Sequence, residues 1–143
     1  MLFRSNKRKL LESIIHPGVA ERTAQKTRQL EQQGFRMVVV DVPLLFEVEW
    51  EGMFDAIVVV YVSGSVQEER LIVRDGLSVE EAGHRLGAQM PIEEKKDRAD
   101  YVIDNSGILH QTLVQVRGIL ERLKIEAERK NSHASYDKSE CTL

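Results

Sequence analysis

The run Asp41-Val42-Pro43-Leu44-Leu45-Phe46-Glu47 carries the most chemical content of any stretch in the sequence. It ends an apolar segment, Met37-Val38-Val39-Val40, with a carboxylate. Open α/β sheets bind ligands in the crevice beyond the carboxyl ends of their strands. In a nucleotide enzyme, Asp41 can hold a magnesium-bound water there, because Mg²⁺ keeps several waters and takes few carboxylates. A strand-end aspartate that caps nearby backbone amides fits the spacing equally well. Glu47 is less informative.

Three arginines form a second group. Arg70 and Arg74 are four residues apart and share one helix face, and Arg85 falls on the helix that follows. Converging arginines can clamp a transferring phosphoryl group and stabilise the charge that develops on it. The same residues also fit a solvated face with pairs such as Glu81-Arg85, which spacing alone favours. Asp104-Asn105-Ser106-Gly107 sits between a strand and a helix, which makes Asn105 or Ser106 an N-cap first and a ligand contact second. His16, before Pro17, reads as structural. His84, His110 and His133 lack the spaced Cys, His or carboxylate partners of a metal site and receive no role. No Gly-x-x-x-x-Gly-Lys-Ser/Thr, Gly-x-Ser-x-Gly or His-Glu-x-x-His occurs in the sequence.

The elements that must position these residues follow from periodicity. Ser5 to Ile15 reads as a short amphipathic helix on Leu10, Leu11, Ile14 and Ile15. His16-Pro17 is expected to break it, and a second, mostly polar helix runs from Pro17 to about Gln33, stopped by Gly34. Arg36 to Val42, Ile57 to Val62 and Tyr101 to Asp104 read as strands, and their continuous β-branched runs suggest cover on both faces, as in parallel sheets. Ser65-Val66-Gln67-Glu68 and Ser78-Val79-Glu80-Glu81 read as capping boxes for helices reaching about Arg74 and about Gln89. Asp75-Gly76 turns between them, and Pro91 starts a short charged helix ending near Arg98. Leu109, Leu113, Val116, Leu120 and Leu123 place one apolar stripe on the last helix, expected to fray near Lys130 ahead of a mobile polar tail.

Strands alternating with helices define an α/β domain. The chain has 143 residues, 42% hydrophobic and 30% charged, and its 20 Lys+Arg against 23 Asp+Glu give a net charge of -3. A chain of this length hides roughly two thirds of its unfolded surface, so it needs neither disulfides nor a structural metal. The single Cys141 excludes an intramolecular disulfide, and a reducing cytoplasm fits best. No apolar run approaches the roughly 18 residues of a membrane span, and the acidic balance argues against a non-specific nucleic-acid binder.

Taken in order, the motifs resemble dephospho-CoA kinase, the P-loop kinase family that phosphorylates the ribose 3′-hydroxyl of dephospho-CoA with ATP. The resemblance rests on Leu2-Phe3, Leu11-Glu-x-Ile14-Ile15-His16-Pro17, Asp41-Val-Pro43-Leu44-Leu45-Phe46-Glu47 and Gln67-Glu-Glu-Arg70-Leu-Ile-Val-Arg74-Asp75. It continues through Arg85-Leu-Gly-Ala-Gln89 and Ala99-Asp100-Tyr-Val-Ile-Asp104-Asn105-Ser-Gly107, covering Leu2 to about Leu123. It implies a P-loop kinase-type parallel sheet, here truncated, with flanking helices and a helical lid over 67–98, within a kinase-like domain over 1–124 followed by a polar, disordered tail over 125–143.

By the same resemblance, ATP with Mg²⁺ and dephospho-CoA are the partners. His16, Asp41, Pro43, Leu44, Leu45, Phe46 and Glu47 would bind dephospho-CoA. Arg74, with Arg70 and Arg85, would act on the ATP phosphates, and Arg74 and Asn105 would bind the nucleotide. No resident metal ligands are expected. The family's P-loop strand, its phosphate-binding lysine and serine or threonine, and an early aspartate acting as base are absent from these residues, so the chain alone is expected to be inactive. Without that strand, Arg36–Val42 and Ile57–Val62 must pair directly, stay unpaired or borrow a strand, which leaves edges open to oligomerisation. A non-catalytic module that binds CoA-like nucleotides, or one that needs a P-loop-bearing partner, is the alternative reading.

Overall fold

A computed structural model describes residues 2–137. Its elements are α1 (Leu2–Gln32), β1 (Val58–Tyr61), α2 (Gly64–Asp75), α3 (Val79–Leu86), α4 (Ile92–Asp97), β2 (Tyr101–Asp104) and α5 (Leu109–Asp137), with a 3-10 turn at Glu51–Met53. They belong to two compact units. One comprises the residues up to Asp41 with those from Glu126 onward, and the other is Val42–Ile125.

In the first unit, the break expected at His16-Pro17 does not occur, and α1 runs unbroken for 31 residues with Pro17 inside it. Proline removes one N–H and so deprives the Ser13 carbonyl of its intrahelical donor. The ladder on either side of a helix this long carries the chain past one missing bond. The expected stop is real. Gly34 takes φ +89°, its N–H reaches the Glu31 carbonyl at 2.9 Å, and the Phe35 N–H reaches the Leu30 carbonyl at 3.1 Å. These two bonds form a Schellman motif around a left-handed glycine. Arg36–Val42, expected as a strand, is irregular and joins no ladder among the described residues. A β-branched run becomes a strand only where a neighbour accepts its N–H groups.

The second unit is built on a two-stranded parallel sheet that pairs Val58 with Tyr101 and Tyr61 with Asp104. Asp100 fixes the start of the register, since its carboxylate accepts the Ile57 N–H at 2.8 Å while its own N–H reaches the Ile57 carbonyl at 3.0 Å. Phe46, Val59, Val62, Ala82 and Ile103 are the buried apolar residues. The cover expected on both faces of β1 is incomplete: Val59 is 7% exposed but Val60 is 57% exposed. With one neighbouring strand and α4 packed against β1, the sheet is too narrow for its helices to close over both faces.

Helix starts and faces are set by hydrogen bonds. Ser78 and Glu81 form the expected capping box, with the Glu81 N–H donating to Ser78 Oγ at 3.2 Å and the Ser78 N–H donating to Glu81 Oε2 at 2.9 Å. The box expected at Ser65 is not formed. α2 starts two residues earlier with Ser63 at its cap, and Gln67 instead donates to the Val62 carbonyl at 3.1 Å. Gly76, at φ +65°, closes α2 in the left-handed conformation.

α5 also differs from its expected face. Of the expected stripe, Leu109, Leu113 and Val116 are exposed, whereas Leu120 and Leu123 are partly covered together with Thr112, Gln115 and Ile119. Gln115 decides the rotation by accepting the Asp104 N–H and donating to the Asp104 carbonyl, both at 2.9 Å. Burying Leu109, Leu113 and Val116 instead would leave the end of β2 without these partners. α5 also continues past Lys130 to Asp137, because Lys124–Lys130 is rich in good helix formers. The rest of the expected tail, 138–143, lies outside the described residues. Among the described residues, no helix is long and apolar enough to cross a membrane.

The two serines are expected to separate on substitution. Ser78→Ala should lower unfolding free energy in urea by about 1 kcal/mol through loss of an N-cap, whereas Ser65→Ala, inside α2, should change it by less than half of that. Equal losses would contradict the assigned helix starts.

Candidate functional site

The residues singled out by the sequence fall in both units. His16 lies within α1, partly covered, and Asp41 is exposed at the end of the irregular segment. Asp41 lines a groove of about 1100 Å³ with Val38, Val39, Val40 and the polar side of α1 from Val19 to Gln32. Pro43, Leu44, Leu45, Phe46 and Glu47 belong to the second unit, as do the three arginines and Asn105.

In the second unit, Arg74 and Arg85 converge. Arg74 Nε meets Asp75 Oδ1 at 2.8 Å and its Nη2 meets Oδ2 at 3.3 Å, while Arg85 Nη1 reaches Oδ2 at 2.7 Å. Two guanidiniums therefore share one carboxylate where α2 turns into α3. The Arg74 hydrogen bond, with the charges of both arginines, holds the Asp75 carboxyl below its ordinary range against a smaller opposing effect of burial. The expected Glu81-Arg85 pair is replaced by this contact, because Glu81 is committed to its capping box. Arg70 points elsewhere: its Nη2 donates to the Asn105 carbonyl at 3.0 Å and ties α2 to the end of β2. Asn105 caps no helix; its Oδ1 accepts the Thr112 hydroxyl at 2.9 Å. Asp104 receives the Ser106 N–H at 2.8 Å, and this turn delays the start of α5 to Leu109.

Glu47 is the most constrained of the motif residues. Its Oε1 meets Lys95 Nζ at 2.7 Å and the Met90 N–H at 2.8 Å. Lys95, the one buried charged residue among those described, also reaches the Pro43 carbonyl at 3.4 Å. The partner oxygen, Glu47 Oε2, is buried without a hydrogen-bond partner. Burial alone would raise the pKa of Glu47. The hydrogen bonds from Lys95 and Met90 and the Lys95 charge overcome it and hold the carboxyl below its ordinary 4.5. One turn along the same helix edge, Arg98 lies 4.9 Å over the Phe46 ring and pairs with Glu51. Phe46 is therefore 5% exposed and serves the core.

Lys95, Arg98 and Asp75 were not legible as partners of these motifs. Pro91–Arg98 reads as a charged helix, and no local rule says which cation turns inward. One signal was present, since Ile92 and Lys95 are three apart and share the face that an apolar residue must bury. A second missed contact joins Tyr61 to α4: its hydroxyl donates to Glu93 Oε1 at 2.7 Å, and Lys96 Nζ stands 4.5 Å over its ring. The hydrogen bond to Glu93 pushes the Tyr61 phenol above its usual pKa. Among the described residues, no group of three or more His, Cys, Asp or Glu is placed to hold a metal ion.

Because the folded pKa of Glu47 lies below its unfolded value, the tie contributes fully above about pH 4.5 and is lost as pH falls through the lower folded value. The sole tryptophan, Trp50, is three residues from Glu47 and should report this loss as a fluorescence transition below pH 4.5. Glu47→Gln should abolish that transition. A transition that persists in Glu47→Gln would assign it to another carboxylate.

The sequence model of dephospho-CoA kinase matches residues 1–111. A dephospho-CoA kinase of Syntrophotalea carbinolica is 45% identical over 125 residues, which cover 87% of this chain and 59% of that protein. One from Symbiobacterium thermophilum is 46% identical over 110 residues, covering 77% of this chain and 46% of that protein. Among solved structures, the crystal structure of TT1252 from Thermus thermophilus superimposes with a TM-score of 0.65 at 34% identity, covering 80% of this chain and 59% of that one. The chain thus spans between about half and three fifths of the length of these relatives. With the family model matching most of the residues in which the motifs lie, the chain belongs to the dephospho-CoA kinase family.

Proposed function

We propose that this chain supplies the acceptor side and the helical lid of a dephospho-CoA kinase, which transfers the ATP γ-phosphoryl group to the ribose 3′-hydroxyl of dephospho-CoA in the last step of coenzyme A synthesis. The observation that carries this reading is the convergence of Arg74 and Arg85 on the single carboxylate of Asp75. Arginines gathered on one anion are preorganised for another, and phosphoryl transfer is catalysed largely by such positioning and charge stabilisation. In transfer, the 3′-oxygen attacks the γ-phosphorus, the bond to the bridging oxygen of ADP breaks, and the hydroxyl proton passes to a base.

Arg74 and Arg85 would exchange Asp75 for phosphate oxygens. Arg70 would hold Asn105 at the end of β2, beside the nucleotide. His16, Asp41 and the Pro43–Glu47 segment would take the acceptor, with Phe46 and Glu47 acting from within the fold. Mg²⁺ would arrive with ATP as substrate. Asp41, exposed on its groove, has the chemistry to hold one of the metal's waters, and its alternative role is to cap backbone amides. The 143 residues contain no Gly-x-x-x-x-Gly-Lys-Ser/Thr, which favours a second reading: a CoA- or nucleotide-binding module that works with a P-loop-bearing partner. A cytoplasmic location, where ATP is abundant and Cys141 stays reduced, belongs to the same proposal. So does association through the outer edges of β1 and β2, which light scattering would reveal as a dimer or larger species.

The purified chain should form negligible ADP from ATP and dephospho-CoA, yet bind dephospho-CoA saturably in calorimetry. Turnover near that of an intact kinase would remove the need for a phosphate cradle supplied from elsewhere. A folded sample that binds no dephospho-CoA would overturn the acceptor-side assignment.

A further inference from the structure

Lys95 is buried to within a tenth of its side chain, yet no part of the proposed chemistry uses it. Its ammonium is held by two groups that bracket the conspicuous motif: the Pro43 carbonyl at 3.4 Å on one side and the Glu47 carboxylate at 2.7 Å on the other. One cation thus closes the Pro43–Glu47 segment into a ring that α4 anchors. The Met90 N–H, in the turn ahead of α4, grips the same Glu47 oxygen at 2.8 Å. Three residues after Lys95, Arg98 repeats the pattern on Phe46 and Glu51. Lysine side chains are rarely this buried unless they are paired, and removing one member strands the other charge. The segment itself is a run of hydrogen-bonded turns, closed by the Val48 N–H on the Leu44 carbonyl at 3.1 Å and the Trp50 N–H on the Leu45 carbonyl at 3.0 Å, with Glu49 at φ +56°. These bonds are internal to it, and the Lys95 and Met90 contacts are what fasten it to α4 and the turn ahead of α4.

We infer that Lys95 is a positioning residue for acceptor recognition: by tying Pro43 and Glu47 to α4, it sets the shape of the segment that meets dephospho-CoA and couples it to α4, which packs on β1. The inference deepens the reading of Pro43–Glu47 as acceptor-binding, but the tie itself can be tested without any ligand. Trp50 supplies that readout, because it lies between Glu47 and Glu51, the two carboxylates that Lys95 and Arg98 hold.

The experiment compares the full chain with Lys95→Met, Lys95→Arg and Glu47→Gln by Trp50 fluorescence, circular dichroism and dephospho-CoA calorimetry. Lys124→Met, which removes an equal charge from an exposed pair on α5, is the control. Lys95→Met and Glu47→Gln should red-shift Trp50 emission with helix content retained and weaken dephospho-CoA binding at least tenfold. Lys95→Arg should recover most of both, and Lys124→Met should change neither. If Lys95→Met fails to fold, Glu47→Gln and Lys95→Arg carry the comparison. Unchanged Trp50 emission in the folded variants overturns the tie, and a red shift with unaltered affinity overturns its role in acceptor recognition. Should the unsubstituted chain bind no dephospho-CoA, the acceptor assignment fails, and the Trp50 comparison alone decides whether Lys95 orders the segment.

Discussion

An ammonium group with one tenth of its side chain open to water has to be matched, and the second unit is arranged around matching one. Lys95 takes the Glu47 carboxylate and the Pro43 carbonyl, so α4, the turn ahead of it and the segment before β1 meet at one point. α4 in turn lies against β1, and β1 carries β2. Such a pair contributes little net stability over an apolar equivalent, because desolvation offsets most of the Coulomb attraction. Its value is directional. An apolar patch would let an irregular segment settle in several ways, whereas a carboxylate and a carbonyl converging on one nitrogen leave few.

The same economy of contacts governs the turn from α2 into α3. Arg74 and Arg85 keep most of their side chains in water while Asp75 keeps about a quarter of its own, so these ion pairs hold weakly. Arg70 is spent differently, on a backbone carbonyl that fixes where α2 leaves the strand end. Three arginines that look alike in the sequence thus divide into two that can be released and one that braces. That division follows from what each meets in space, and helical spacing carries no trace of it.

Legibility followed the range of the interaction. Features set within a few residues were readable: the Ser78-Glu81 box, the left-handed stop at Gly34, the turn at Asp75-Gly76, the helix after Pro91 and the strands at Val58 and Tyr101. Features set by a distant neighbour were not. Arg36–Val42 has the composition of a strand but, among the described residues, no ladder to join, and α5 turns Leu109, Leu113 and Val116 outward because Gln115 is needed at Asp104. Pro17 stayed inside α1 because helix length, which no single residue announces, outweighed one lost bond. The motif Asp41–Glu47 was recognisable as a string, but its anchor lies at Lys95, about fifty positions away. Pairing across that distance cannot be read from either partner alone.

The parallel pairing of β1 with β2 also shapes how the unit can assemble. Ile57 and Asp100, which open the ladder, are 43 positions apart, and the two strands are separated by three helices and their connecting turns. The α2–α3 hairpin and the Ser78 cap close over short loops, whereas the sheet must wait for a long chain segment to be gathered, a loop-closure cost that short-range contacts escape. Lys95 sits on the last helix of that intervening segment. Its grip on Pro43 and Glu47 therefore belongs to the slow, non-local part of folding, and a nascent chain has its helical hairpin before the Pro43–Glu47 segment takes shape.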